Sequence, residues 1–282
     1  MPRSNVLLPT AMAMLAFAGN SVFCRLALKT TAIDPASFTT ARMLSAAITL
    51  AIILRLRGNA PLASGSWASA LALFAYAAGF SLAYVNLTAG TGALLLFGAV
   101  QISMISISLW RGEKMSPLQI TGLVLALGGL LVLVLPGFAA PPLTSSALMI
   151  GAGVAWGVYS LRGRGVGDPT AITAGNFMRT VPMTLLFSFI AFRHFVPDTA
   201  GLVYALLSGA VTSGLGYAIW YKALPALKSL EASIVQLSVP IIAAFGGVAL
   251  LGETLSLRLI FAAAAVLGGI LLVAVEKSHA TK

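Results

Sequence analysis

The chain has 282 residues, of which 59% are hydrophobic and only 9% are charged, and its mean hydropathy is +0.99. A soluble domain carries about 25% charged residues to keep its surface hydrated, so this composition excludes an ordinary soluble protein. The formal net charge is +10. The cations lie between apolar runs and form no stripe with interleaved aromatics, which argues against nucleic-acid binding. The single cysteine, Cys24, excludes an internal disulfide and a Cys-rich metal site.

Ten apolar stretches are long enough to cross a hydrocarbon layer about 30 Å thick, which takes ~20 residues of helix. They are predicted at residues 5–28, 36–54, 67–87, 91–110, 117–136, 145–161, 170–192, 200–221, 232–251 and 257–275. Turn-forming pairs such as Asp34-Pro35 and Asp168-Pro169 separate them. The connections are too short for a soluble domain. We therefore expect an all-α integral membrane protein that acts inside the membrane.

The distribution of cations predicts how the helices are oriented, because Lys and Arg in short loops stay in the cytoplasm. Eleven cations fall on one side, and only Lys29, Arg193 and Arg258 fall on the other. Both termini are therefore expected to be cytoplasmic in a multi-pass protein of the cell (inner or plasma) membrane, which agrees with an even number of spans. The first run is too long for a removable signal peptide and is taken as a span.

The two halves of the chain resemble each other in sequence. Aligned positions include Gly112-Glu113 with Gly252-Glu253, Gly129 with Gly269, Phe17-Ala18 with Trp156-Gly157, and Arg42 with Arg179. The halves, residues 1–137 and 138–282, hold five predicted spans each. An odd number makes the second half start on the opposite side of the membrane. The pattern thus predicts two inverted five-helix repeats around a central cavity, which is typical of transporters.

These features together resemble the EamA-type transporters of the drug/metabolite transporter superfamily. The resemblance rests on the opening Phe17-Ala18-Gly19-Asn20 and its counterpart Trp156-Gly157, an Arg early in the second helix of each half, and a Gly-Glu pair followed by a Gly-Gly helix. It covers nearly the whole chain. It implies an exporter of amino acids or other small metabolites. It also implies a cavity among helices 1, 3, 4, 6, 8 and 9, with helices 5 and 10 at the periphery.

The positions of the acidic residues bear on the driving force. All seven lie in loops or at span ends, namely Asp34, Asp168, Asp198, Glu113, Glu231, Glu253 and Glu276. His194 and His279 are also peripheral. A proton-driven antiporter usually uses a carboxylate within the membrane, so uniport or exchange driven by the substrate gradient is expected. Coupling through a carboxylate at a loop end is the alternative.

Aromatic and amide side chains inside the spans are the candidates for the cavity lining. The third span carries an aromatic stripe with helical spacing, and the eighth has matching aromatics. The fourth and ninth spans contribute amides that need partners in hydrocarbon, and Pro240 frees a backbone carbonyl. The predicted lining is Asn20, Tyr76, Phe80, Tyr84, Phe97, Gln101, Trp156, Tyr159, Tyr217, Trp220, Gln236 and Pro240. Packing between helices, or anchoring at the interface, is the alternative role for each.

Isolated arginines within the spans have two interpretations. Arg42 and Arg179 either bind a substrate carboxylate, or reach a headgroup or a helix-end carbonyl. We expect the structural role, because the resemblance puts helices 2 and 7 outside the cavity. Arg25 is expected to be an interface anchor. Gly128-Gly129 and Gly268-Gly269 are expected to be sites of close helix packing.

The sequence therefore predicts a secondary transporter that exports amino acids or similar metabolites by alternating access. A multidrug exporter of aromatic or cationic compounds is the nearest alternative, and a channel or lipid flippase is another. An enzyme is not expected, because the chain lacks metal-ligand spacing and a Gly-x-Ser-x-Gly motif. The expected partners are a small-molecule substrate and membrane lipid, without nucleic acid, cofactor or metal. A monomer is the working expectation.

Overall fold

The computed structural model describes residues 4–279 except 61–63, 111, 113–114, 138, 164–166, 193–194, 197, 228–231 and 233–234. The described residues form helices and connections, with no strand among them. The ten main helices are α1 (Ser4–Thr30), α2 (Pro35–Leu56), α3 (Trp67–Tyr84), α4 (Ala89–Trp110), α5 (Pro117–Val134), α6 (Leu143–Arg162), α7 (Pro169–Ile190), α8 (Thr199–Ala226), α9 (Ser238–Leu251) and α10 (Leu257–His279).

Nine of the ten predicted spans coincide with one of these helices. The ninth, predicted at residues 232–251, corresponds to α9, which begins only at Ser238, and residues 233–234 lie outside the described ones. Seven helices, α1 to α5, α8 and α10, are both long and apolar enough to cross a membrane. Helices α6 and α7 have 20 and 22 residues but are less hydrophobic, and α9 has 14 residues. The prediction of an all-helical membrane protein is therefore confirmed, and length with composition supports the crossing of seven helices.

Capping side chains define where several helices begin. The Asp34 carboxylate accepts hydrogen bonds from the backbone N–H groups of Ala36 and Ser37, and Asp168 accepts one from Thr170. A proline follows each aspartate as the first helical residue. A carboxylate at the cap satisfies N–H groups that have no partner within the helix, and proline lacks one of them. The Asp-Pro pairs therefore start α2 and α7 at the positions that the sequence predicts.

Helix α8 is not a regular α-helix along its length. Residues Ser208–Leu215 form π-helical turns between two α-helical segments, and Leu224–Ala226 close the helix as a 3₁₀ turn. A π-helix has more residues per turn than an α-helix, so it rotates the side chains that follow it. The side of the helix on which Tyr217 and Trp220 lie therefore cannot be predicted by assuming a regular α-helix from its first residue.

The helices pack in pairs that cross between the two halves of the chain. Helix α6 packs against α3 and α4, while α1 packs against α8 and α9. Helix α2 packs against α7, and the most extensive pairing joins α5 to α10. Only 33% of the apolar 18-residue stretch of α5, and likewise of α10, is buried inside the bundle. The corresponding share is 50–61% in the other long apolar helices. These two helices therefore lie at the periphery of the bundle.

Glycines permit the close contact between α5 and α10. A Cβ atom on Gly129 would lie 2.9 Å from side-chain atoms of Ala265 and Val266, and one on Gly269 would overlap the carbonyl oxygen of Gly122. Gly128 and Gly268 face open space instead. The close-packing role predicted for the two Gly-Gly pairs is confirmed for Gly129 and Gly269, and it is wrong for Gly128 and Gly268.

These glycines provide a matched stability test. Gly129→Ala and Gly269→Ala should each lower the free energy of unfolding by about 1–3 kcal/mol, because the added methyl group forces α5 and α10 apart. Gly128→Ala and Gly268→Ala are the controls and should be neutral or stabilising, since alanine favours a helix. Thermal denaturation in detergent measures both. Equal losses in both pairs would mean that the close contacts of Gly129 and Gly269 are not the cause of the loss.

Candidate functional site

A small cavity lies inside the bundle between α1, α3, α4, α6 and α8. Its lining residues are Phe17, Asn20, Ser21, Tyr76, Phe80, Leu96, Phe97, Trp156 and Tyr217. Its centre has room for about one water molecule. The described conformation is therefore closed around the cavity, and a solute the size of an amino acid enters only if helices move apart.

Trp156 lies at the centre of the aromatic wall. Its ring stacks on Tyr76 of α3 with centroids 5.6 Å apart, and it meets Phe97 of α4 edge to face at 5.2 Å. Phe17 of α1 lies 6.4 Å away, also edge to face. Gly153 makes this arrangement possible, because a Cβ atom there would overlap Ala99 and the carbonyl oxygen of Leu96. The absence of a side chain lets α6 rest on α4 and bring these rings together.

Asn20 is the polar centre of the cavity wall. Its side-chain oxygen accepts hydrogen bonds from Ser208 (2.9 Å), Thr212 (2.6 Å) and Ser213 (3.2 Å). All three hydroxyls belong to the π-helical turns of α8. The wider turns place these three hydroxyls within reach of one acceptor. The network therefore connects α1 to the irregular part of α8. A π-helical segment next to a cavity is a frequent feature of functional sites.

Arg42 lies in the protein interior next to this network, and the predicted snorkelling to a headgroup is wrong. Its side chain is 1% exposed, and its guanidinium carbon lies 4.8 Å from the Phe80 ring centroid and 5.4 Å from that of Tyr76. Nη2 donates to the Tyr76 hydroxyl at 2.9 Å, and Nε donates to Ser213 at 3.4 Å. The sequence reasoning failed because α2 packs against the π-helical turns of α8, which carries Arg42 inward.

Arg179, which aligns with Arg42 in the repeat, has different surroundings. Its Nη1 donates to the backbone carbonyls of Ser64 (2.6 Å) and Gly175 (3.0 Å). Pairing with backbone carbonyls is the structural role expected for it. The two arginines therefore differ in environment although their positions correspond, and Arg42 contacts side chains that line the cavity.

Arg25 is a partner in a buried ion pair, so its predicted role as an interface anchor is wrong. Its Nε lies 3.0 Å from a carboxylate oxygen of Glu253, and the side chains are 11% and 5% exposed. Nη1 donates to the carbonyls of Tyr84 and Val85, and the other Glu253 oxygen accepts from the N–H of Ala89 at 2.8 Å. This cluster joins α1, the α3–α4 connection and the α9–α10 connection at one end of the bundle.

A second contact joins the halves at the same end. The Asp198 carboxylate caps α8 by accepting from Gly201, and it also accepts from the N–H of Ala32 between α1 and α2. These backbone hydrogen bonds, to Gly201 first and then to Ala32, lower the pKa of Asp198 from its ordinary value. The connection is therefore made by the ionised carboxylate.

Six of the predicted site residues line the cavity: Asn20, Tyr76, Phe80, Phe97, Trp156 and Tyr217. Tyr84, Tyr159 and Trp220 are buried beside it. Tyr84 packs on Phe80 and donates to the carbonyl of Ala89, and Tyr159 donates to Thr173. Trp220 packs against Phe17 with centroids 6.0 Å apart.

The predicted residues of the fourth and ninth spans lie away from the lining. Gln101 and Gln236 are half-buried and Pro240 is buried, and none of the three lines the cavity in this conformation. Pro240 is the third residue of α9, where a missing N–H costs nothing because the first turn has no partner for it. The helix is interrupted just before it, at Leu237.

The sequence reasoning missed Phe17, Ser21 and Leu96 as lining residues. Phe17 and Ser21 are four residues apart and flank Asn20 on one helical face, a spacing that provides a usable signal. Leu96 has no such signal, since an apolar residue in an apolar span does not indicate which face is internal. Among the described residues, no group of three His, Cys, Asp or Glu side chains is placed to hold a metal ion.

An apolar helical bundle with a small internal cavity of aromatic and polar side chains is typical of a multi-pass membrane protein. The EamA-like transporter family model matches residues 6–135 and again residues 143–275, so the chain belongs to the EamA-like transporter family. The resemblance seen in the sequence is thereby confirmed.

The chain is also similar to individual proteins. The chain is 56% identical to the uncharacterized protein PA1977 of Pseudomonas aeruginosa (strain PAO1), covering 97% of this chain and 96% of that protein. It is 32% identical over 120 residues to the threonine/homoserine exporter RhtA of Escherichia coli K12, which covers 40% of this chain and 39% of the exporter. A crystal structure with 17% sequence identity superimposes with a TM-score of 0.69 over 96% of this chain and 98% of the other, which shows a shared fold.

The contribution of the Arg25–Glu253 ion pair to stability can be tested by mutation. Glu253→Gln should lower the free energy of unfolding by roughly 3 kcal/mol, because it leaves the buried Arg25 cation without its counter-charge. Lys29→Gln is the control, since the exposed Lys29 donates to the carbonyl of Leu251 at the same end and has no carboxylate partner among the described residues. Chemical denaturation in detergent compares the two. A loss no larger in Glu253→Gln than in Lys29→Gln would show that the pair contributes little.

Proposed function

We propose that the protein is a secondary transporter that exports amino acids or similar small metabolites across the inner membrane through this cavity. The observation that carries the proposal is a small cavity lined by buried aromatic and polar side chains inside a transporter-family bundle. Aromatic rings accommodate apolar parts of a solute, and a few oriented polar groups select its head. The similarity to a threonine/homoserine exporter over part of the chain favours amino acids as the substrate class.

The proposal includes two inverted repeats that exchange roles during transport. The family model matches the chain twice, once in each half. The helix pairings support the same symmetry: the pairs α3–α6 and α4–α6 correspond to α8–α1 and α9–α1, while α2–α7 and α5–α10 each correspond to themselves. Two structurally related halves can take each other's conformation, which exposes one central site to either side in turn.

The closed conformation fits one step of such a cycle. The Arg25–Glu253 pair and the Asp198 contact both join the two halves at the end that carries the α1–α2, α3–α4 and α9–α10 connections. Opening the cavity toward this end requires that these contacts separate. The conformation therefore represents a state in which this end is shut.

The absence of an acidic side chain from the apolar interior supports uniport or exchange. The carboxylate side chains that the structure describes are Asp34, Asp168, Asp198 and Glu253, and each lies at a helix end or in a connection. Glu253 is engaged with a cation and a backbone N–H. A carboxylate that carries protons needs access to the cavity, and none of these four lines it.

Counterflow in proteoliposomes tests the proposal directly. Vesicles preloaded with an unlabelled amino acid should accumulate the labelled one, with saturation, and an imposed pH gradient should change the rate less than twofold. Asn20→Leu, which removes the acceptor of three buried hydroxyls, should abolish the flux, whereas Gly128→Ala, which faces open space, should retain it. Flux without saturation or counterflow would indicate a channel, and several-fold acceleration by a pH gradient would show proton coupling.

A multidrug exporter is the second candidate, and the aromatic wall of the cavity is the observation that favours it. Cationic dyes stack on such walls. Arg42 opposes this assignment, because its guanidinium contacts two of the same rings and repels a second cation. Saturable flux of cationic dyes in the counterflow assay, in place of amino acids, would establish this alternative.

The orientation is also tested by labelling. In a Cys24→Ala background, Asn59→Cys in the α2–α3 connection should react with an impermeant thiol reagent only when the cytoplasmic side is accessible. Thr254→Cys in the α9–α10 connection is the matched control and should react from outside intact cells. Both positions are exposed. The reverse pattern would show that the termini are not cytoplasmic.

A further inference from the structure

Arg42 is a buried cation without a counter-charge among the residues the structure describes. Its nearest polar contacts are two hydroxyls, of Tyr76 and Ser213, and the ion pair that the structure records belongs to Arg25 instead. An arginine side chain stays protonated in proteins, so burial does not remove its charge. A buried charge that lacks an ionic partner is costly, and in a membrane protein it marks a functional site by default.

One donor group of Arg42 is unused. Nη1 is buried and has no hydrogen-bond partner, whereas Nη2 and Nε each donate to a hydroxyl. Most buried polar atoms are paired, so an exception needs an explanation. The Tyr76 hydroxyl accepts from Arg42, and its own O–H donates to no described residue. Two neighbouring groups are therefore available as donors.

Arg42 is one layer of side chains away from the cavity. Tyr76 and Phe80 line the cavity, and their ring centroids lie 5.4 and 4.8 Å from the guanidinium carbon of Arg42. A shift of the Phe80 or Tyr76 ring as the bundle opens would bring Nη1 to the cavity surface. The room for about one water molecule in the closed state is consistent with a site that forms on opening.

The cavity offers little to a positively charged group. The side-chain oxygen of Asn20 lies within hydrogen-bond distance of three hydroxyls, which are enough to occupy both of its lone pairs. No carboxylate lines the cavity. The guanidinium makes the local potential positive. A bound solute is therefore selected by its anionic group, and its apolar body lies against Trp156, Phe97 and Phe17.

We propose that Arg42 binds the carboxylate of the transported solute, so that the protein selects small organic monocarboxylates with an apolar or aromatic body and does not require their amino group. This assignment rests on the proposed function for the identity of the site. A carboxylate supplies the missing counter-charge, and its two oxygens match Nη1 of Arg42 and the hydroxyl of Tyr76. Arginine suits this task because its guanidinium offers planar, paired donors.

Binding of three related compounds to the purified full chain in detergent tests the proposal. They are 3-phenylpropanoate, its amide 3-phenylpropanamide, and 2-phenylethylamine, and calorimetry measures their affinities. The wild type should bind the acid about 10- to 100-fold more tightly than the amide, as expected for a charge-assisted hydrogen bond, and should bind the amine least. Equal affinities for acid and amide, or preference for the amine, would overturn the proposal.

The ratio of acid to amide affinity separates binding from a structural role of Arg42. Arg42→Gln should reduce the ratio to about one, whereas a variant that merely weakens the fold would lower both affinities together. Arg179→Gln is the matched control, since Arg179 occupies the corresponding repeat position but bonds backbone carbonyls, and it should keep the wild-type ratio. An unchanged ratio in Arg42→Gln would refute the assignment.

Two further measurements keep the test decisive. If Arg42→Gln does not fold, Tyr76→Phe, which removes one donor but keeps the charge, should reduce the ratio without bringing it to one. Sodium chloride alone should not displace the acid at equal concentration, and displacement would identify an inorganic anion site instead. The ratio is measured without transport, so a selective binder that shows no counterflow would contradict the exporter and leave the carboxylate site standing.

Discussion

A polar group inside a lipid-embedded bundle has only other protein groups as partners, and this constraint determines how the interior of the protein is arranged. Asn20 satisfies three hydroxyls of α8, and Arg25 satisfies Glu253 and two backbone carbonyls. Each of these clusters joins elements from both halves of the chain. In lipid, the hydrophobic effect does not favour a neighbouring helix over an acyl chain, so the apolar faces of these helices pack equally well against either. The polar contacts therefore hold the helices together.

The helices were predictable from the sequence because one physical requirement governs them. Hydrocarbon thickness sets the length of a span, and Asp-Pro pairs at Asp34 and Asp168 set the starts of α2 and α7. The roles of Gly129 and Gly269 were also predictable, since small residues commonly permit close helix contact in lipid. These features depend on local composition, and local composition is what a sequence displays.

The site was only partly predictable because it depends on helix rotation. Tyr76 and Phe80 were found by spacing along a regular α-helix, but Trp220 was assigned to the lining although the π-helical turns before it place it behind Phe17. Arg42 was assigned outward because its helix was expected to lie outside the cavity. Nothing in the spacing of α2 reveals that it packs against Ser208–Leu215. Pairwise contacts between distant segments decide both cases.

The π-helical turns link the two polar features of the interior. Ser213 donates to Asn20 and accepts from Arg42, so one hydroxyl connects the cavity wall to the buried cation. A regular α-helix through Ser208–Leu215 would turn Ser208, Thr212 and Ser213 to different angles and break contacts with Asn20 or with Arg42. These hydrogen bonds, each worth about 1 kcal/mol net, favour the irregular turns over a regular α-helix. Neutralisation of the Arg42 charge therefore acts on the Ser213 hydroxyl, which also holds α8 against α1. Those two helices belong to opposite halves of the chain.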